Sequence, residues 1–150
     1  MPKSDTWEVG LLNLLFNNTA FGGVGDTTGL PSSGSAGNLY VSLHTATPGD
    51  GGDQTTNEVN YTGYLRVAVV RTSGGWTVAE SGGTATAVNA VQITFPQCTG
   101  GSNTATYVGI GTATSGAGKL LYYGALSSSL NISNNITPAI SSGQLSISED

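Results

Sequence analysis

The chain has 150 residues, enough for one domain with a real core, and only 9 per cent of them are charged, against about 25 per cent in an ordinary globular domain. Net charge is −5, and the four basic residues Lys3, Arg66, Arg71 and Lys119 are scattered, which leaves no stripe to neutralise phosphates and argues against nucleic acid. The lone Cys98 excludes an intramolecular disulfide and multi-cysteine metal sites, and no apolar run is long enough to span a bilayer.

A surface so poor in charge, with 23 glycines and many Ser, Thr and Asn, has little repulsion to keep copies apart. It fits a chain packed against neighbours. No secretory signal is expected, because an acidic rather than basic segment precedes the apolar stretch Leu11 to Phe16.

Asp5 to Asn17 (DTWEVGLLNLLFN) is the one helix the sequence predicts. Ser4 or Asp5 can cap it, and Glu8 stands three residues after Asp5 in capping-box spacing. Trp7, Leu11, Leu14 and Leu15 form an apolar stripe, widened by Val9, Leu12 and Phe16. So short a helix with Gly10 at its middle is marginal alone and must be stabilised by burial. The stripe either covers the chain's own sheets or docks on a neighbouring subunit. Trp7, Leu11, Leu15, Phe16 and Phe21 are the candidate protein-interface residues.

Residues 18–37 form a Gly/Ser/Thr-rich loop without periodicity. Gly23-Val24-Gly25 resembles a phosphate loop only superficially: it follows a helix and lacks the third glycine and the lysine. A loop this long fits an extended arm lying across a neighbouring protein.

Asn38 to Val78 carries the first strands. Leu39, Val41 and Leu43 alternate with Tyr40, Ser42 and His44, as in a strand with one buried face. Leu65 to Thr72 alternates likewise, and Ser73-Gly74-Gly75 reads as a hairpin turn into Trp76-Thr77-Val78. Between the two lies a polar excursion. Asp50, Asp53, Asn57 and Glu58 there offer oxygens, but without EF-hand spacing they read as turn residues. Tyr61 and Tyr64 are expected anchors. His44 reads as a surface or interface histidine, since no nucleophile elbow accompanies it.

Short strands follow over residues 84–88, 91–95, 104–112, 119–125, 129–133 and 144–148, with a flexible connection over 111–118 and a strand edge at Ile136 to Ile140. The expected fold class is all-β, a β-sandwich or jelly-roll-like domain with one short N-terminal α-helix and a long Gly/Ser-rich arm. The expected division is 1-37 for helix and arm and 38-150 for the sandwich. No internal repeat or heptad is present, which argues against a fibre shaft.

The segments LYVSLHTATPGDGG, NEVNYTGYLRVAVVRTSGGWTV, ITF, GTATSGAGKLLYYGAL and ITPAI with GQLSISED resemble a family of small tailed-bacteriophage virion proteins, over nearly the whole chain. The resemblance implies a virion structural component, either a capsid cement (decoration) protein or a tail-fibre-like one, and carries no catalytic motif.

Together these readings predict a non-enzymatic virion protein without cofactor or metal, made in the host bacterial cytoplasm. Cement on the outer capsid surface is favoured over a tail position. The expected partners are the major capsid protein and copies of the chain itself, as a dimer or trimer, with no membrane. A carbohydrate-binding module remains as an alternative, using Tyr122, Tyr123, Trp76 or Tyr40 to bind a surface glycan. Tyr122 and Tyr123 are adjacent, so within a strand they cannot share one platform.

Overall fold

The computed structural model describes residues 2–149. They form α1 (Asp5–Phe16), β1 (Asn38–His44), β2 (Val67–Val70), β3 (Trp76–Ser81), β4 (Thr84–Asn89), β5 (Ile93–Thr94), β6 (Asn103–Gly111), β7 (Leu120–Ile132), β8 (Ala139–Ile140) and β9 (Ser146–Glu149). Strands are ordered β2-β1-β6-β7, β3-β4-β9 and β5-β8 in three sheets, and the all-β, sandwich-like class with one N-terminal helix holds. The chain gathers into two compact units, one of residues 2–38, 70–92 and 140–149, the other of residues 39–69 and 93–139. Helix and arm share a unit with β3, β4 and β9.

In the first unit β4 alternates, burying Ala85, Ala87 and Asn89. Trp76 pairs with Asn89 and Val78 with Ala87, so Trp76 shares that face. Phe16 packs on Trp76 at a ring separation of 4.7 Å, which lays α1 over the small alanines. Close approach buries one helical column, Glu8, Leu12 and Phe16, at i, i+4 and i+8. The predicted stripe of Trp7, Leu11, Leu14 and Leu15 is only half-buried on its flank. The capping box is also absent. Ser4 caps through its backbone carbonyl, which accepts from the Trp7 and Glu8 amides, while the Glu8 side chain turns into the core.

The arm is not extended. Phe21 and Leu30 pair through both backbone bonds, Asp26 accepts from the Thr28 and Gly29 amides, and Asn18 exchanges two hydrogen bonds with Ser33. Arg71 fastens the ends. Its guanidinium donates to Leu14 O (2.7 Å) and Leu15 O, carbonyls that the helix end leaves open, and to Ala36 O (3.2 Å) at the far end of the loop.

Ser73-Gly74-Gly75 is not a hairpin turn between paired strands. Thr72 O accepts from both Gly75 N and Trp76 N in a helix-like turn, and β2 and β3 belong to different sheets. The tight hairpin lies at Gly82-Gly83, with φ of 65° and 86°, between the paired Ser81 and Thr84.

In the second unit both faces of β1 are buried beyond Tyr40, against the predicted one-sided burial. The register gives the reason: Val41 and Leu43 pair with Ile110 and Val108, while Tyr40 and Ser42 pair with Gly111 and Gly109. One face is filled by aliphatic side chains. On the other, glycines leave room for the polar excursion to lie directly on the sheet. The strands expected over 119–125 and 129–133 are one strand, β7, whose ladder with β6 jumps between Tyr107↔Ala125 and Ala105↔Leu130. Ser127, Ser128 and Ser129 sit in that bulge, which is why the sequence pattern breaks there.

Candidate functional site

The densest polar chemistry of the second unit lies under the excursion after β1. His44 is fully buried, not a surface residue. Its Nδ1 lies 2.8 Å from Thr56 O, a pure acceptor, so Nδ1 carries the ring proton. Nε2 is then free to accept from Ser42 Oγ, 2.8 Å away. Burial holds the imidazole below its ordinary value of 6.5, against the raising effects of the Thr56 bond and of Glu58. A β-carbon on Gly109 would stand 2.7 Å from His44 Nε2 and 2.8 Å from Ser42 Oγ, so only glycine admits the pair.

Beside it Glu58 takes both arms of Arg66, Nε to Oε1 at 2.7 Å and Nη2 to Oε2 at 2.8 Å. The same guanidinium donates to Ala113 O (2.9 Å) and Gly116 O (2.8 Å). Tyr64 donates to Glu58 Oε1 and accepts from the Leu43 amide. Hydrogen bonding to Glu58 raises the Arg66 pKa, and burial pushes the Tyr64 phenol well above its ordinary range. Burial likewise pushes Tyr61 up to about 12, and its hydroxyl donates to Pro96 O.

Gln54 completes the cluster. It is fully buried, accepts from Ala113 N at 2.8 Å, and fills the space a β-carbon on Gly111 would need. The 111–118 connection, expected to be flexible, is therefore clamped from inside by Arg66 and Gln54.

A serine aligned on a histidine whose other nitrogen is held is the geometry of an activated nucleophile. Both side chains have no exposed surface, and the group orienting His44 is a neutral carbonyl that cannot balance an imidazolium as a carboxylate would. The network fastens an irregular segment onto a sheet. The oxygen-bearing turn residues are also committed separately. Asp53 Oδ1 accepts from Thr55, Glu58 binds Arg66, and Asn57 donates to Thr47 O. Among the described residues no group of three His, Cys, Asp or Glu is placed to hold a metal.

Of the interface candidates, Phe16 is fully buried against Trp76 and belongs to its unit's own core. Trp7, Leu11, Leu15 and Phe21 keep partial exposure. Trp7 and Phe21 pack ring on ring at 5.5 Å, with Phe21 seated over Gly10. Of the aromatics considered for a sugar platform, Trp76 is buried and Tyr40 half-buried. Tyr122 pairs with Ile110 and so faces the aliphatic side. Tyr123 is exposed on the other side. Its companion there is Tyr107, which sequence reasoning missed because only the β6–β7 register brings them together.

The model of one protein family, described as podophage GP4 fiber I protein gp80, matches residues 2–148. No curated protein sequence matches the chain.

Proposed function

The chain belongs to the podophage GP4 fiber I protein gp80 family, a phage virion structural family, and from that premise we propose a non-enzymatic subunit of the fibre apparatus. Such a subunit docks on a neighbouring virion protein through the outer flank of α1. The observation that carries the reading is how the polar groups are used. The Ser–His pair is buried, and it, the Glu58–Arg66 pair and Arg71 are all taken up in hydrogen bonds that hold loops in place. Trp7, Leu11, Leu15 and Phe21 meanwhile leave apolar surface partly uncovered. Other copies of the chain, as a dimer or trimer, are the further partners in this reading.

A capsid cement role, joining major capsid subunits on the outer shell, is the second reading. It is favoured by the lack of any internal repeat or heptad of the kind a fibre shaft uses. Many identical weak contacts on a symmetric shell would add through multivalency. Gel electrophoresis of purified tail-less heads and of isolated tails separates the two. The fibre reading expects the protein with the tails. High copy number on heads, with particles lacking the protein breaking at lower temperature, would replace it with cement.

A further inference from the structure

We propose that Tyr107, Tyr123 and Asp50 form a shallow binding site for one pyranose ring of a neutral oligosaccharide. Tyr123 pairs with Gly109, and Tyr107 pairs with Ala125. The two tyrosines are therefore diagonal neighbours on one face, where such pairs stand about 7–8 Å apart. Tyr123 is 38 % exposed, Tyr107 half-buried, and Ala125 beside them exposed. Of the two positions flanking that diagonal, Gly109 is covered by His44, Ser42 and Leu120, while Ala125 carries only a methyl group and is open to solvent.

The Tyr123 hydroxyl donates to Asp50 Oδ1, which fixes the ring at the platform's edge. No bond to the second Asp50 oxygen occurs among the described residues. A β-carbon at Gly49 or Gly51, on either side of Asp50, would meet nothing within 4 Å, so the carboxylate stands at an open loop tip. An aromatic surface faces the C–H side of a sugar ring, while a carboxylate oxygen accepts from its hydroxyls. The ligand is neutral because Asp50 and the chain's net charge of −5 would repel an acidic sugar. So shallow a site is weak in one copy and gains strength through repetition on a particle. The inference does not depend on whether the protein sits on head or tail.

The test is an array of neutral and sialylated oligosaccharides probed with the full chain, followed by NMR titration with the best-bound glycan. The expected result is selection of neutral glycans, with the largest shifts at Asp50, Tyr107, Tyr123 and Ala125. Tyr123→Ala should weaken binding at least about tenfold. Ala125→Gln, which sets a longer side chain directly across the ladder from Tyr107, should do the same. Absence of any bound neutral glycan, preference for sialylated ones, or unchanged affinity in a folded Ala125→Gln variant overturns the proposal.

Discussion

Glu58 and Arg66 meet edge to edge, two parallel N–H···O bonds at 2.7 and 2.8 Å, with only 3 per cent of the Arg66 side chain exposed. The pair joins the excursion after β1 to the connection after β6, because the remaining guanidinium donors reach Ala113 O and Gly116 O. Removing one partner from a buried pair leaves the other charge uncompensated, at a cost of about 3–5 kcal/mol. Arg66→Ala should lower stability in chemical denaturation by that order and open residues 112–118 to proteolysis. Arg66→Lys should recover only part of it, since an ammonium cannot form the two-pronged contact. A wild-type protease pattern in Arg66→Ala would show that the clamp lies elsewhere.

Gly109 and Gly111 set how closely the excursion approaches the sheet. A β-carbon on Gly111 would lie 2.2 Å from Gln54 Cδ, a side chain held by its bond to Ala113 N. Gly111→Ala should destabilise by about 1–3 kcal/mol through overpacking. Part of the loss should return in the Gly111→Ala/Gln54→Ala double variant. Strictly additive losses in a double-mutant cycle would contradict the contact.

Helix propensity and packing disagree at Gly10. In an exposed helix Gly→Ala stabilises by about 1 kcal/mol. Here the new methyl would come within 2.3 Å of the Phe21 ring. Gly10→Ala should therefore destabilise the wild type yet stabilise a Phe21→Ala background. Thermal melts of the four proteins give the sign directly.

His44 makes stability depend on pH. Its folded-state pKa is held below the unfolded 6.5, so the unfolded chain binds more protons between those two values. Stability is therefore fully present above about pH 6.5 and falls as the pH drops toward the folded-state pKa. His44→Gln should flatten that slope while lowering stability at neutral pH. A wild-type slope retained in His44→Gln would assign the dependence to other groups.

Arg71 holds the end of α1 to the closing end of the 18–37 loop. Arg71→Ala should raise amide exchange across residues 18–36 while leaving β6 and β7 protected, because every bond it makes is to its own unit. Uniform loss of protection across the chain would count against so local a role.

Local pattern alone carried the all-β class, the single helix, most strand positions and the resemblance to phage virion proteins. Alternation at Leu39, Val41 and Leu43 and the apolar spacing from Trp7 to Phe16 are properties of neighbouring residues, and neighbouring residues determine them. What lay out of reach depended on partners distant in sequence. His44 is buried because Gly109, 65 positions on, vacates its side of the sheet. Glu8 faces the core because Ala85 and Ala87 let the helix settle on that column. Arg71 closes the arm with carbonyls some 35 to 57 residues away. Tyr107 and Tyr123 share a face only through strand register. A chain so poor in charge gives each ionic group few places to pair, and only tertiary contact decided which of those places was used.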